Sequence, residues 1–276
     1  MQDHLRSSHR GFEMASNPNF QAKLPPDWER NLSTPASTVR VGPNGASQRV
    51  AQNSWATRVQ GFTLFANIPV QDCSTIVGAA RERSFSRGQL IYIEGDAIHQ
   101  VALLTSGSAK MVQCNQNGSE VILRLCGLGE LVGTLGNSIQ ARYRCTSRAV
   151  TSISALVWES SVFESLSTQF PSLRLNVAYI LYKQLEDMED RFREISTERV
   201  ASRLSRQVLR LVEQVGIRLN GTIEISITRE ELAQLIGTSL FTVSRLLAEW
   251  DRKRIVTTRR KGFSVNNLKA LAELID

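Results

Sequence analysis

Residues 228–250 read TREELAQLIGTSLFTVSRLLAEW, and this stretch carries the strongest local signals in the chain. Thr228 and Glu231 have the spacing of a capping box, in which each side chain accepts a hydrogen bond from the other residue's backbone N–H. Gly237 predicts where this first helix ends, because glycine adopts the left-handed conformation at little cost. The pattern therefore predicts a helix that begins after Thr228 and ends at Gly237.

A second helix follows after a short turn. Thr238 or Ser239 is its predicted N-cap, since a hydroxyl oxygen accepts a hydrogen bond from an otherwise unpaired backbone N–H. The small side chain of Ala233 lets the two helices approach closely. The residues predicted to face the core are Leu232, Leu235, Ile236, Val243, Leu246, Leu247 and Trp250. Two short helices joined by a glycine-containing turn form a helix-turn-helix.

The outer face of the second helix predicts a DNA-binding surface. Arg245 lies on that face, and arginine can donate two hydrogen bonds to a guanine edge in the major groove. The alternative is an ordinary helical hairpin within a core. The spacing of the features described above favours the helix-turn-helix: it fits both caps, the small residue, the glycine and the arginine. The predicted DNA contacts are Thr228, Ser239, Leu240, Phe241, Thr242, Ser244, Arg245, Arg260 and Lys261.

Positive charge is concentrated on both sides of this stretch. The chain of 276 residues has a formal net charge of +7. Residues 191–220 contain seven arginines against three glutamates, and residues 252–261 contain six basic residues and no acidic one. Two basic runs that flank one motif favour a phosphate-binding surface over a merely solvated face.

Composition argues against several classes of protein. No stretch of about 18 apolar residues is present, so we expect no membrane span. The first 25 residues lack the apolar core of a signal peptide, so we expect a cytoplasmic protein. The cysteines show no C-x-x-C spacing, which argues against a zinc knuckle and fits a reducing compartment. They are Cys73, Cys114, Cys126 and Cys145.

The changes in composition and hydrophobic pattern along the chain predict an α+β fold made of successive parts. Residues 1–54 are rich in Ser, Asn, Gln and Pro and are expected to be disordered. Within a predicted sensor domain at 55–165, residues 59–86 resemble short helices. Residues 87–158 read as short strands separated by turns such as Asn117-Gly118. Strands spaced in this way predict a β-roll of the jelly-roll or cupin-like type.

The third part, residues 166–196, is a predicted dimerisation helix. Its apolar residues recur at alternating spacings of three and four, which is a heptad seam. Packing of the same stripe onto the chain's own barrel is the alternative. The seam residues are Ala178, Leu181, Leu185, Met188, Phe192 and Ile195.

The last part, residues 197–276, is predicted to be a winged helix-turn-helix domain. A helix at 197–215 and an alternating Ile223, Ile225 and Ile227 strand lead into the helix-turn-helix. The segment 255–265 then reads as a β-hairpin with a basic tip, which would contact phosphate as a wing.

The chain resembles the CRP/FNR superfamily of bacterial transcription regulators over about residues 60–276. The stretches that carry the resemblance are FSRGQLIYIEGD (85–96), LLTSGSAK (103–110), NGSEVILRL (117–125), GLGELVG (127–133) and the helix-turn-helix. The resemblance implies a homodimer that binds a palindromic DNA operator, RNA polymerase as a further partner, and an effector bound at the β-roll. It leaves open whether the protein activates or represses.

The effector region departs from the members that bind cyclic AMP. In those members the glycine that matches Gly133 is followed by a glutamate that binds the ribose hydroxyl. This chain has Thr134 at that position, and threonine supplies no carboxylate. Depending on the loop register, Arg144 or Tyr143 occupies the position of their phosphate-binding arginine. We therefore expect an unidentified effector, with a cyclic nucleotide or other small anion bound through Thr134 and Arg144 as the alternative. The residues assigned to this pocket are Gly133, Thr134, Leu135, Tyr143, Arg144 and Cys145.

Other cofactors of the superfamily fit less well. The first 72 residues contain no cysteine, so the iron–sulfur cluster of the oxygen sensors is not expected. His99 is the only histidine between residues 60 and 276, which argues against haem. One histidine is also too few for a metal-dependent cupin enzyme, so no enzymatic activity is predicted. Cys126 is expected to be a small core residue, with a redox role as the alternative.

The second helix also departs from the superfamily pattern. Members usually have an Arg-Glu pair where this chain has Leu240-Phe241, and the glutamate accepts a hydrogen bond from cytosine. Phe241 cannot accept one, so it either contacts a thymine methyl group or is partly buried. Ser244 and Arg245 match the Ser-Arg pair of the oxygen-regulator branch, so the guanine contact is expected to be retained.

Overall fold

A computed structural model of the chain describes residues 55–114, 120–133, 142–219 and 221–275. Outside these residues lie the predictions made for the segment 1–54, the Asn117-Gly118 turn, Thr134 and Leu135. None of the helices in the described ranges is long and apolar enough to cross a membrane. The fold is of the mixed α and β class, as the sequence predicts.

The first part of the described chain is a β-roll preceded by short helices. A helical turn at 55–59, a 3-10 helix at Thr63–Phe65 and helix α1 at Val70–Gly78 come first. Eight strands follow: β1 Arg81–Phe85, β2 Leu90–Tyr92, β3 Gln100–Ser106, β4 Ala109–Cys114, β5 Glu120–Cys126, β6 Leu131–Val132, β7 Thr146–Ala149 and β8 Ile153–Glu159. They form two four-stranded antiparallel sheets in the orders β1-β8-β3-β6 and β2-β7-β4-β5. This arrangement confirms the predicted β-roll.

Strand β1 corrects the prediction of short helices across residues 59–86. Arg81–Phe85 pairs antiparallel with β8, and Phe85 lies opposite Ile153. The strand reads RERSF, in which Phe85 is the one apolar residue and the one buried residue. It therefore lacks the alternation of apolar and polar side chains that identifies a strand in sequence. The strand is held by its ladder to β8, which is a tertiary contact that the local sequence does not reveal.

Two apolar cores form on the two faces of the first sheet. Side chains such as Leu104, Val132 and Val157 point inward and pack in the core between the sheets. Their neighbours along the strands point outward, against α1 and helix α2 (Ser160–Gln169). In this outer core Trp158 is fully buried, and its Nε1 donates a hydrogen bond to the Ile76 carbonyl oxygen at 2.8 Å.

A β-bulge in β5 decides which of its residues face outward. Along the β4–β5 ladder Met111 lies opposite Arg124 and Val112 lies opposite Ile122, so Leu123 is the extra residue. An extra residue reverses the alternation of side chains along a strand. Ile122 therefore packs on the outer face with Val112, whereas Arg124, two residues later, lies beside Met111 on the inner face.

Helix α3 (Pro171–Thr197) follows α2 and carries the predicted seam. Its first turns dock on the β-roll, where Asn176 Nδ2 donates to the carbonyl oxygens of Leu64 and Ala66 at 2.9 and 2.8 Å. Beyond that point the seam is open to solvent in the single chain, with Met188 65% and Phe192 75% exposed. The alternative reading, in which this stripe packs on the chain's own barrel, is therefore not the arrangement observed.

The C-terminal part is a winged helix-turn-helix. Its elements are α4 Val200–Val215, β9 Ile217–Leu219, β10 Thr222–Ile225, α5 Arg229–Ile236, α6 Leu240–Arg252, β11 Val256–Arg259, β12 Gly262–Val265 and α7 Leu268–Ala272. The strands form one sheet in the order β11-β12-β10-β9. The predicted helix at 197–215, the alternating strand and the hairpin at 255–265 are all present. The edge strand β9 and helix α7 were not predicted.

The β-roll and the winged helix share an apolar core and an ion pair. Val112, Ile122 and Leu125 of the β-roll belong to the same buried cluster as Leu232 of α5. Beside this cluster Lys110 Nζ lies 2.9 Å from an oxygen of the Glu231 carboxylate, and the two side chains are only 12% and 16% exposed. The start of α5 is thereby attached to strand β4 of the barrel.

The Glu231 carboxylate is held in its charged form. Burial by itself would raise the pKa of this group, but hydrogen bonds from Thr228 and the pairing with Lys110 outweigh burial and lower the pKa below its ordinary value of 4.5. A carboxyl whose folded-state pKa is lowered stabilises the fold above its unfolded pKa, and this contribution is lost as pH falls.

We predict that Lys110→Met lowers the free energy of unfolding by about 1–3 kcal/mol at pH 7, because it leaves a buried carboxylate without its cation. The matched control is Lys253→Met, which removes the exposed pair with Glu249 and should cost less than about 0.5 kcal/mol. Urea unfolding at fixed protein concentration measures both. The difference between wild type and Lys110→Met should shrink as pH falls below 4.5. Equal losses in the two variants would contradict this role of the ion pair.

Candidate nucleic-acid interface and effector region

The first helix of the helix-turn-helix, α5, begins with both halves of the predicted capping box. The Glu231 backbone N–H donates to Thr228 Oγ1 at 3.2 Å, and the Thr228 backbone N–H donates to Glu231 Oε2 at 2.9 Å. The helix ends at Gly237, which has the left-handed φ of 64°. The Thr238 N–H then closes the turn on the Ala233 carbonyl oxygen at 3.0 Å. Both ends of α5 thus agree with the sequence prediction.

The second helix, α6, is capped by Ser239, which settles the choice between Thr238 and Ser239. The Thr242 backbone N–H donates to Ser239 Oγ at 3.1 Å. All four residues predicted for its core face are buried: Val243, Leu246, Leu247 and Trp250. This cap and this face together set the rotation of α6 about its axis.

The opposite face of α6 holds the predicted base-contacting side chains. Phe241 is 77% exposed and Leu240 is 50% exposed, so the alternative of a partly buried Phe241 is wrong. Arg245 is exposed one turn further along, and Thr242 and Ser244 are half-buried at the margins. Arg245 and the two apolar residues therefore share one open surface of the helix.

The wing lies beside this surface. Arg260 and Lys261 form the turn between β11 and β12 and are exposed. A groove runs between the wing and the helices, and its lining residues are Thr228, Arg229, Glu230, Leu240, Thr258, Arg259 and Arg260. Of its three arginines, Arg259 forms an ion pair with Glu224. The groove is thus mainly cationic and opens next to Leu240, as a surface that follows a phosphate backbone would.

Two contacts hold the wing in place against α6 and β10. The Thr258 backbone N–H and hydroxyl donate to Asp251 Oδ2 at 3.1 and 2.7 Å, and these bonds lower the pKa of that carboxyl. At the base of the wing a Cβ on Gly262 would lie 2.3 Å from the Ile225 carbonyl oxygen. Only glycine allows so close an approach, so the position of the wing is fixed by the backbone.

The residues assigned to the effector pocket point in different directions. Tyr143 is buried, and its hydroxyl donates to the Gln100 carbonyl oxygen at 2.9 Å while its ring stacks on Tyr92 with centroids 3.9 Å apart. Cys145 is also buried, with its Sγ 3.8 Å from the Tyr92 hydroxyl. Arg144 is exposed. Of the two candidates for an anion ligand, the structure therefore places the tyrosine inside the barrel and the arginine outside.

The barrel interior contains a cation that the sequence reading missed. Arg124 lies on the inner face of β5, where its Nη2 donates to the Leu131 carbonyl oxygen at 3.0 Å. Burial alone would lower the pKa of this guanidinium, but Cys126 and Glu130 nearby raise it overall. The available signal was a single charged residue in the apolar run Val121–Cys126. Its inward direction followed from the bulge and could not be read from alternation.

Gly133 and Ser147 complete what the structure describes of this region. Gly133 has a φ of 129°, a conformation that favours glycine. Ser147 is fully buried, and within the described residues its Oγ has no hydrogen-bond partner. Ser147 of β7 lies opposite Met111 of β4, and Met111 lies opposite Arg124 of β5. The Ser147 hydroxyl and the Arg124 guanidinium therefore belong to one row of side chains across the sheet β2-β7-β4-β5.

The cysteines divide into one exposed and three buried thiols. Cys114 is exposed, whereas Cys73, Cys126 and Cys145 are buried and reduced. Burial raises the pKa of Cys126 to about 12 and also raises that of the other two buried thiols. A protonated thiol is a poor nucleophile, so this environment favours the core role of Cys126 over a redox role.

Two family models match the chain. The cyclic nucleotide-binding domain matches residues 82–170, and the Crp-like helix-turn-helix domain matches residues 198–274. Together they cover more than half of the sequence. The first match falls on the β-roll and α2, and the second on the winged helix-turn-helix.

Known proteins resemble the chain over most of its length. The CRP-like cAMP-activated global transcriptional regulator of Mycobacterium tuberculosis is 22% identical over 76% of this chain and 94% of its own. The fumarate and nitrate reduction regulatory protein of Escherichia coli is 22% identical over 70% of this chain and 78% of its own. Among solved structures, FixK2 from Bradyrhizobium japonicum superposes with a TM-score of 0.64 at 18% identity, covering 71% of this chain and 98% of its own. The name of the first regulator includes cyclic AMP and that of the second does not, so their similarity does not identify an effector.

We predict that native protein at pH 8 reacts with a thiol reagent such as DTNB rapidly at one cysteine, Cys114. With a pKa of about 12, Cys126 has roughly one thiolate in ten thousand at this pH. The variant Cys114→Ser should lose the fast phase, and all remaining thiols should react only after unfolding in denaturant. Rapid labelling of Cys126 in folded Cys114→Ser protein would instead support a redox role.

Proposed function

We propose that this chain, which belongs to the CRP/FNR superfamily of transcription regulators, binds a palindromic DNA operator as a homodimer and reads its bases with α6. The observation that carries the proposal is the surface of α6. Its cap and buried face leave Leu240, Phe241 and Arg245 exposed beside a basic wing. In helix-turn-helix proteins the second helix enters the major groove with its N-terminal residues on the base edges.

The proposed contacts divide into base reading and phosphate binding. Arg245 is assigned to a guanine, whose O6 and N7 accept both hydrogen bonds of a guanidinium. Arg260 and Lys261 are assigned to phosphates, because two exposed cations in the turn of the wing can pair with the DNA backbone. Ser239, Thr242, Ser244 and Thr228 border the same surface and are assigned to supporting polar contacts. Phosphate contacts position a protein on DNA, whereas base contacts select the sequence.

We expect Arg245→Ala to weaken binding to the specific operator by about 1–3 kcal/mol per half-site and to relax selection at one guanine. The double variant Arg260→Ala with Lys261→Ala should weaken binding to all sequences alike and reduce the salt slope by roughly 0.9 per lost phosphate contact. Fluorescence anisotropy on specific and random duplexes over a salt series separates the two effects. Equal losses on both duplexes for Arg245→Ala would show that α6 does not read bases.

The dimer is proposed to form through the seam of α3. Solvent-exposed apolar residues in a heptad pattern are suited to pack against a second copy. The end of α3 is tied to the DNA-binding part, because Arg210 of α4 forms an ion pair with the buried Glu194. We propose the division 55–165 for the sensor domain, 166–196 for the dimerisation helix and 197–276 for the DNA-binding domain. A two-fold dimer matches a palindromic operator with half-sites about one helical turn apart.

The double variant Leu185→Asp with Met188→Asp is expected to be monomeric and to bind the operator much more weakly. In a dimer, two carboxylates per chain would have to be buried in the interface. Lys183→Asp, a change to the same residue type on the far side of α3, is the control and should remain dimeric. Light scattering coupled to size-exclusion chromatography measures the mass. A stable dimer of the double variant would contradict the assignment of the seam.

We propose that the β-roll controls DNA binding through an effector. The shared core and the Lys110–Glu231 ion pair connect β4 and β5 to the start of α5, so a change in these strands acts directly on the DNA-binding part. The interior of the barrel supports a small anionic effector, because Arg124 supplies a cation on its inner face. The superfamily also supports RNA polymerase as a partner and offers no support for an enzymatic reaction.

A cyclic nucleotide bound through Thr134 and Arg144 is the second candidate, favoured by the match to the cyclic nucleotide-binding domain. We nevertheless expect no micromolar affinity for cyclic AMP, because Thr134 supplies no carboxylate and Arg144 lies outside the barrel. Isothermal titration calorimetry tests this expectation. Micromolar binding that is lost in Arg144→Ala would establish the second candidate, and micromolar binding that is lost in Arg124→Ala would assign the site to the barrel interior.

A further inference from the structure

The first turn of α6 carries two large apolar side chains that no described residue covers. Phe241 is 77% exposed and Leu240 is 50% exposed. Side chains of similar exposure, such as Phe192 and Met188, lie on the α3 seam, where a second copy of the chain would cover them. Leu240 and Phe241 lie on the DNA-binding surface instead. Burial of an aromatic ring is strongly favourable, so this surface selects a partner with an apolar group at this position.

The position of Phe241 relative to Arg245 is fixed by the helix. Residues four apart lie on the same face, with Cβ atoms about 5–6 Å apart. Base pairs follow one another at about 3.4 Å along the duplex. When Arg245 contacts its guanine, the Phe241 ring therefore lies over a base pair one or two steps away. The Ser239 cap fixes this first turn, so the ring does not depend on a flexible segment.

The chemistry of Phe241 decides which base it meets. Its side chain has no donor or acceptor, and the hydrocarbon group that bases display in the major groove is the C5-methyl group of thymine. Cytosine displays an amino donor instead, which phenylalanine leaves unpaired. We infer that Phe241, supported by Leu240, selects a pyrimidine C5-methyl group, so that thymine is preferred over cytosine at this operator position. The inference rests on the proposed function.

The surroundings of the apolar pair fit DNA and not an apolar protein surface. The groove beside Leu240 is lined by Arg229, Arg259 and Arg260, and Lys261 extends the wing next to it. Arg259 already pairs with Glu224, but an apolar protein surface would offer no counter-charge to the exposed Arg260 and Lys261. In the major groove, methyl groups lie between two rows of phosphates, so one ligand satisfies the apolar pair and the cations together.

The test begins with an operator selected from a random DNA pool by the full-length protein. Thymine is then replaced by deoxyuridine at the position, one or two base pairs from the Arg245 guanine, at which Phe241→Ala relaxes selection, and this replacement removes only the methyl group. Wild type should lose about fourfold in affinity per half-site, or about fifteenfold over both half-sites, as expected for one buried methyl group at each. Phe241→Ala should bind the two operators equally, because the group that contacts the methyl is gone.

Two further arms separate methyl reading from a general effect on folding. With 5-methylcytosine at the same position, wild type should bind more tightly than with cytosine, whereas Phe241→Ala should not distinguish them. Phe241→Glu should change the selected base pair from thymine to cytosine, because a carboxylate accepts from the cytosine amino group. Retained selection of the guanine assigned to Arg245 shows that both variants are folded and bind in the same register.

The outcomes distinguish this inference from the proposed function. An enriched operator whose deoxyuridine form binds wild type as tightly as the thymine form overturns the inference alone. The same holds if Phe241→Ala retains the preference for thymine over deoxyuridine. A pool with no enriched sequence overturns the proposed function, and the inference with it.

Discussion

The packing of strand β5 against helix α5 is the contact on which the arrangement of this molecule depends. Val112, Ile122 and Leu125 form one buried cluster with the core of the winged helix. The β-roll and the winged helix-turn-helix therefore share apolar surface, and displacing one from the other would expose that surface to water. The bulge at Leu123 makes the contact available, because it brings Ile122 to the outer face while Arg124 stays inside. A single inserted residue thus serves both the interface and the interior of the barrel.

Glu231 has two roles at this interface. It completes the capping box that starts α5, and it pairs with Lys110 of the barrel at 2.9 Å. The same carboxylate therefore stabilises the local start of the helix-turn-helix and attaches it to the β-roll. Movement of β4 would displace the N-terminus of α5 first, and this end of the helix faces the cationic groove. This connection joins the β-roll to the helix-turn-helix through one specific pair of side chains.

Many of the exposed apolar residues of the single chain are concentrated on two surfaces, one on α3 and one on α6. Those on α3 repeat in a heptad and continue over several turns, which suits a second identical helix. Leu240 and Phe241 are only two residues in one helical turn and are bordered by arginines, which suits a groove between phosphates. In both places the side chains are exposed in the single chain, as at surfaces that bind a partner. The described part of one chain therefore has a buried core and still leaves apolar side chains exposed on α3 and α6.

Elements that depend on short-range interactions can be predicted from the order of residues along the chain. The capping box, the left-handed Gly237 and the heptad of α3 are made by residues a few positions apart, so their patterns are visible along the chain. Tertiary structure decided what depends on residues distant in sequence. Strand β1 exists because β8 lies beside it, and the inward direction of Arg124 results from a bulge that only the ladder with β4 reveals. The pairing of Lys110 with Glu231 joins residues 121 positions apart, and no local pattern encodes a contact between two charges that far apart.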